Sequence, residues 1–230
     1  MELVVLDPQS PHFPEPDTAL DEPDGLLAAG GNLLPDTVYN AYYNGIFPWY
    51  GDQDPILWWS PSTRCVINPK KLHVSKSLQK QLRKQVVTVS FDRAFDQIIQ
   101  ACAHRESASD TWINADMIVT YTELYKCGKA HSVEIWEGEK LIGGAYGVAV
   151  GRIFCGESMF SSRPNGSKIA LFHLCNHLNI LGYTLIDCQL VTNHLISMGG
   201  QSITRERFLE KLQVARDYNL NWHNHYQAEI

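Results

Sequence analysis

Two carboxylates and an amide stand where apolar strand residues are expected. Glu157 lies in Cys155-Gly156-Glu157-Ser158-Met159, and Asp187 and Gln189 close the apolar run 183–186. A third polar cluster is Asp110-Thr111-Trp112. Burying such groups is costly unless each finds hydrogen-bond partners. Either a structural network satisfying turn backbone or a site assembled at strand ends meets that demand. On a continuous strand Asp187 and Gln189, two apart, face the same side. Metal chemistry has little footing. His173 and His177 are four apart, without an HExxH motif or a cysteine pair, and read as partly exposed residues of one helix. The six cysteines form no CxxC pair, so no metal site or disulfide framework is expected.

Charge and aromatic residues suggest binding surfaces. The net charge is -6, but residues 1–63 hold ten acidic side chains and no lysine or arginine. Residues 64–84 then carry Arg64, Lys70, Lys71, Lys76, Lys80, Arg83 and Lys84 with no acid among them. Because charge is screened over about 8–10 Å, such a stretch can bind a phosphate backbone despite the overall sign; it can also be a solvated helix face. Trp49, Trp58 and Trp59 crowd a region rich in Gly and Pro. They serve either as its core or as stacking faces for an unpaired nucleotide. Gly143, Gly144, Gly147 and Gly156 mark either close approach of a ligand or a β-bulge.

The elements that must position these residues divide at the charge reversal, into a small N-terminal domain over 1–63 and a larger one over 64–230. Pro/Gly punctuation predicts short elements in the first, with one helix over 36–44 closed by Gly45. In the second, a helix over 75–84 has Ser75 as N-cap, Val74, Leu78 and Leu82 on one face, and Lys76, Lys80, Arg83 and Lys84 on another. Helices over 92–103 and 115–127 precede an antiparallel meander of 131–137, 141–150 and 153–160. A strongly apolar helix over 167–181, a buried strand over 183–189 and a helix over 205–218 capped by Thr204 complete the order. This describes an α+β or mixed α/β fold. No apolar run is long enough to span a bilayer, and the N-terminus has no basic, then apolar, secretory pattern, so a cytoplasmic protein is expected.

Six segments carry a resemblance: Gly45-Ile46-Phe47-Pro48-Trp49, Leu57-Trp58-Trp59-Ser60-Pro61, Thr111-Trp112-Ile113, His131-Ser132-Val133-Glu134, Phe154-Cys155-Gly156-Glu157-Ser158-Met159-Phe160-Ser161 and Leu185-Ile186-Asp187-Cys188-Gln189. In this order and spacing, over nearly the full chain, they resemble the leucyl/phenylalanyl-tRNA–protein transferase family. The resemblance implies a small N-terminal domain joined to one with the acyl-CoA N-acyltransferase fold of N-acetyltransferases. It implies transfer of Leu, Phe and less readily Met from aminoacyl-tRNA to proteins beginning with Arg or Lys, marking them for degradation by the N-end rule. No cofactor, metal or membrane is implied, and a monomer is expected.

The same resemblance assigns residues. Asp187 and Gln189 lie nearest the chemistry, with Gln189 as a carbonyl acceptor aligning the amine and Asp187 fixing its orientation and favouring developing positive charge. Glu157 holds the amino group of the transferred residue or receives the cationic acceptor. Ala145, Phe154, Gly156, Leu171, Leu174, Leu178 and Ile186 surround the transferred side chain. Ala145 stands where methionine can occur, and Leu174 and Leu178 where phenylalanine can, so a roomier pocket is expected. Trp49 and Trp112 frame the 3′-terminal adenosine, and Lys76, Lys80, Arg83 and Lys84 suit the tRNA acceptor stem.

The implied reaction is aminolysis of an already activated ester, which demands neither metal nor covalent enzyme intermediate. Orientation alone can be worth effective molarities on the order of 10⁵–10⁸ M. Three other functions compete. A coenzyme A-dependent N-acetyltransferase would hold pyrophosphate with R/Q-x-x-G-x-G/A, of which Arg163-Pro164-Asn165-Gly166-Ser167-Lys168 matches only the first half. The others are a non-catalytic RNA-binding module and a peptidoglycan-type aminoacyl transferase.

Overall fold

A computed structural model of the protein describes residues 2–84, 87–104 and 113–222. The first part contains β1 (Val4–Leu6), β2 (Leu26–Gly30), α1 (Pro35–Tyr43), β3 (Phe47–Pro48) and β4 (Leu57–Trp59). Its four strands form a sheet of order β1-β2-β4-β3, with β1 parallel to β2 and the other pairs antiparallel. Helix α1 is capped by Asn44, and Gly45 leads the chain away at φ +79°, a conformation that favours glycine.

The chain continues with β5 (Thr63–Ile67), α2 (Lys76–Lys84), β6 (Thr88–Phe91), α3 (Phe95–Ala103) and α4 (Ala115–Lys126). Then come β7 (Ala130–Glu137), β8 (Lys140–Val150), β9 (Ile153–Ser161) and α5 (Gly166–Leu181). Last are β10 (Leu185–Asp187), α6 (Asn193–Ser197), β11 (Gln201–Thr204) and α7 (Arg205–Ala215). A second sheet runs β11-β5-β10-β9-β8-β7-β6, antiparallel except where β10 lies parallel to β9. The architecture is mixed α/β with two mixed sheets.

Two apolar clusters cover this sheet. One joins α1, α3, α4 and α7 to the small sheet through Tyr42, Trp58, Phe95, Tyr121 and Phe208. The other packs α5 against the sheet through Phe154, Leu171, Leu174, Leu178 and Ile186. Leu78 of α2 joins the second cluster, and Gln81 and Asn165 bond α2 to the start of α5 at 2.6 Å.

Several expectations needed correction. The strand expected over 183–189 is only Leu185–Asp187. Tyr183 instead donates its N–H to Leu178 O at 2.9 Å, closing α5, and Gln189 turns to φ +59°. Asp187 and Gln189 therefore do not share a strand face. The helix expected from residue 92 starts at Phe95, because the Asp92 carboxylate is held by β7, accepting from Ser132 N and bonding His131 Nδ1, both at 2.8 Å. The helix expected to reach 218 ends at Ala215, whose carbonyl takes the Arg152 N–H of the β8–β9 turn at 3.0 Å. His177 is buried and stacks on Phe91 at 4.0 Å, because α5 is apolar on nearly every side. Strands β5, β6 and β11 extend the expected meander at both edges.

Candidate active site

The parallel pairing of β9 with β10 lasts three residues, Ile153 to Cys155 against Leu185 to Asp187. Beyond it β9 continues while β10 turns away, which opens a cleft between them. The β8–β9 ladder shifts at the same level: Gly147 pairs Gly156 and Tyr146 pairs Ser158, leaving Glu157 as the extra residue of a bulge. Bulges commonly re-aim a side chain beside a site. Here the bulge delivers Glu157 into the cleft.

A cavity of about 250 Å³ occupies this cleft. Its apolar lining comes from Ala145, Phe154, Gly156, Met159, Leu171, Leu174, Ile186 and Leu195, and its polar lining includes Glu157, Ser158 and Gln189. Six of the seven expected pocket residues are in this wall. Leu178 is not; it lies one turn further along α5, fully buried in the core. A larger hollow of about 430 Å³ lies by the β8–β9 turn and α7, lined by Arg152, Arg207, Glu210 and Lys211 among others. The smaller cavity is the stronger candidate, because an apolar wall and converging polar groups with a perturbed carboxylate meet in it.

Gln189 Nε2 donates to Glu157 Oε1 at 2.7 Å, and Tyr121 Oη donates to Glu157 Oε2 at 2.8 Å. Tyr42 Oη bonds Tyr121 Oη at 2.5 Å, linking α1 to α4. Glu157 keeps some solvent access, yet crowding protein atoms push its carboxyl up to about 7, against the lowering effect of hydrogen bonds from Tyr42, Tyr121 and Gln189. Since the folded protein favours the protonated form, stability falls as pH rises from the ordinary carboxylate value to about 7, then stays level on this account. Glu157→Gln is expected to remove that slope. Melting temperatures from about pH 5 to 8 check this, and an unchanged slope would refute the shifted carboxylate.

Asp187 points elsewhere than expected. Its carboxylate takes the Arg64 fork, Nε to Oδ1 at 2.9 Å and Nη2 to Oδ2 at 2.7 Å. It also accepts the Gln189 backbone N–H at 3.0 Å, so it holds the turn rather than the amide side chain. Its charge is already answered by Arg64, and neither group is open to solvent. Arg64, the first basic residue of the stretch over 64–84, is not a surface charge but a buried tie to Asp187 and to Gly45 O at 3.0 Å. Sequence patterning had no signal for Tyr42 and Tyr121 either, which are 79 positions apart.

The leucyl/phenylalanyl-tRNA protein transferase profile covers residues 66–213, and its N-terminal domain profile covers 31–62. A leucyl/phenylalanyl-tRNA–protein transferase of Vibrio campbellii is 52% identical over 209 residues, 91% of this chain and 89% of that protein. The chain belongs to this transferase family. Another member, from Cellvibrio japonicus, is 48% identical over 95% of both chains. Among solved structures, FemX superposes with a TM-score of 0.46 at 10% identity, covering 76% of this chain and 70% of that chain.

Around the cleft the other expected residues are dispersed. Trp49 is 41% exposed and meets Trp59 edge-on at 5.5 Å, leaving a face to solvent. Trp58 is core, donating Nε1–H to Gly30 O at 2.9 Å. Lys76, Lys80 and Arg83 are exposed on α2, and Lys84 is its last residue. Asp110, Thr111 and Trp112 lie outside the described residues. The glycines divide: a Cβ at Gly147 would meet Cys155 O at 2.2 Å and one at Gly144 would meet Ile98 at 2.2 Å, so both serve packing. Gly156 has ordinary room, 3.7 Å to Asp187 O, and widens the cavity. Among the described residues no cluster of three or more His, Cys, Asp or Glu forms a metal site, and no helix is long and apolar enough to cross a membrane.

Proposed function

We propose that this chain transfers leucine, phenylalanine and less readily methionine from aminoacyl-tRNA to the N-terminal Arg or Lys of acceptor proteins. The new residue marks its bearer for degradation by the N-end rule, and the work is done in the cytoplasm by a monomer. The observation that carries this reading is one cavity with an apolar end and a carboxylate–amide end, in a chain about half identical to named transferases. A domain division at about residue 63 and an N-acetyltransferase-like fold for the larger part accompany the proposal.

The chemistry is aminolysis of the ester that joins the amino acid to the tRNA. The aminoacyl side chain enters the apolar end, against Ala145, Phe154, Gly156, Leu171, Leu174 and Ile186, with Leu178 supporting the wall from behind. Because the Gln189 amide nitrogen is engaged by Glu157, its carbonyl oxygen is the end left to accept from the attacking amine. That amine has an ordinary pKa of about 7.7–8.0, so a neutral fraction exists near neutral pH. Glu157 attracts the ammonium of the transferred residue or the cationic acceptor, and Asp187 fixes the turn that presents Gln189. Trp49, with Trp112, frames the terminal adenosine.

The direct test supplies Leu-, Phe- and Val-tRNA with peptides beginning Arg, Lys or Ala. Transfer of Leu and Phe to the Arg and Lys peptides alone supports the proposal. Acetyl-CoA-dependent acetylation, or tRNA binding without product, would replace it. Lys76, Lys80, Arg83 and Lys84 contact the acceptor stem through phosphates. Neutralising about four RNA phosphates gives log K against log[salt] a slope of roughly -3. Replacing all four residues with Ser is expected to flatten that slope towards zero, measured by tRNA titration at several salt concentrations; an unchanged slope would move the tRNA track elsewhere.

A further inference from the structure

Two residues that line the cleft, Tyr146 and Ser158, carry hydroxyls with no hydrogen-bond partner among the described residues. Both oxygens are buried. The two residues oppose each other across β8 and β9, at the step where the bulge sets Glu157 out of register. The Tyr146 ring is held edge-on by Phe95 at 5.7 Å and Tyr121 at 5.5 Å, which fixes the position of its hydroxyl oxygen.

A buried hydroxyl without a partner has given up its hydrogen bonds to water and received nothing in return. Folding alone gives no reason to keep either oxygen, since phenylalanine and alanine would fill nearly the same space. Glu157 does not satisfy them: its oxygens receive Tyr121 and Gln189, and neither Tyr146 Oη nor Ser158 Oγ bonds to it. Burial and the nearby Glu157 charge raise the Tyr146 phenol well above its ordinary value, so it retains its proton and remains a donor. The site therefore holds two donors that lack an acceptor.

The substrate supplies one. When the amine attacks the ester, a bond forms from nitrogen to the carbonyl carbon and the carbonyl π pair moves onto oxygen. Collapse restores the C=O bond and expels the ribose oxygen, which takes up the proton that the amine gives away. Between those steps the carbonyl oxygen carries a full negative charge and is the substrate atom whose acceptor strength grows most. Resting on the transfer reading above, we propose that Tyr146 Oη and Ser158 Oγ donate hydrogen bonds to this oxygen and form an oxyanion-stabilising pair set by the β8–β9 bulge.

The test uses the full chain, Leu-tRNA and an Arg-initiated peptide, with single-turnover rates at saturation and melting temperatures. Tyr146→Phe is expected to slow the maximal rate by about 10²–10³-fold, the usual effect of removing one oxyanion donor. KM should stay nearly unchanged, because the interaction is made in the transition state. The melting temperature should hold or rise, because an unsatisfied group is removed. Ser158→Ala should show the same pattern. Parental rates in Tyr146→Phe, or a loss confined to KM, would overturn the inference while leaving the transferase function intact. A rate loss matched by lost stability in both variants would make the hydroxyls structural and overturn it too. If the parent protein itself transfers no leucine, the transferase reading falls and this inference with it.

Discussion

Arg64→Met is expected to lower stability by about 3–5 kcal/mol and to reduce transfer to background. The Arg64 side chain is 1% exposed and lies between the rings of Phe47 at 4.8 Å and Phe208 at 4.4 Å. Its fork satisfies both oxygens of Asp187, and its remaining amino group takes Gly45 O. One side chain thus ties α1 and the small sheet to the end of β10. Methionine can fill the space between the rings but cannot answer the charge. Asp187 would be left ionised and unpaired in a dry interior, or would take up a proton. Either change disturbs the Gln189 N–H that it accepts.

A double variant separates these contributions. Arg64→Met with Asp187→Asn removes both charges and should recover part of the lost stability, because burying an ion pair gains little over an apolar pair of similar volume. Transfer should stay low, because the link from Gly45 to Asp187 is still absent. Urea unfolding at constant m-value and single-turnover rates measure the two outcomes. A single variant that lost less than about 1 kcal/mol, within the range of a surface pair, would show that this tie does not hold the site together.

The second large effect concerns Gln189. It sits at φ +59°, a region that costs a non-glycine residue roughly 1–2 kcal/mol. Backbone strain of this kind persists only where the surroundings impose it. Asp187 accepts the Gln189 N–H, Cys65 N–H donates to Gln189 O at 3.0 Å, and the side chain reaches Glu157. Gln189→Gly should relieve the strain and keep the melting temperature at or above the parental value. Its maximal transfer rate should fall by about 10²-fold, the scale of a lost positioning or proton-handling group. Gln189→Ala should fall as far without the gain in stability. Parental single-turnover rates in either variant at saturating substrates would remove Gln189 from the chemistry.

Much of the frame was legible beforehand. The helices α1, α4 and α5, the amphipathic α2 and the meander β7–β9 are signalled by local periodicity and by the stops Gly45, Gly128 and Gly182, all three of which adopt positive φ. Such signals need only near neighbours in the chain. The polar clusters at Glu157 and at Asp187–Gln189 were legible for a related reason: a carboxylate interrupting an apolar run contradicts burial and so calls for an explanation. Strands β5, β6 and β11 were not legible, because four or five mixed residues carry no period that outweighs turn signals. β5 even contains Arg64, which locally reads as a break.

The order of the major elements, the acidic and basic segments, the family and the residue types available for chemistry can all be read from the chain. Those properties are written in nearest-neighbour patterns and in motifs. Which polar groups face the cleft and which satisfy one another depends on contacts between distant segments. The spacing of Asp187 and Gln189 predicts one shared strand face, yet Arg64, 123 positions away, draws the first into the interior. A left-handed turn aims the other at Glu157, 32 positions away. The bulge that exposes Glu157, and the burial that raises its carboxyl to about 7, depend on strand register and packing. Desolvation and long-range hydrogen bonding arise only when distant segments meet, so they leave no trace in local composition.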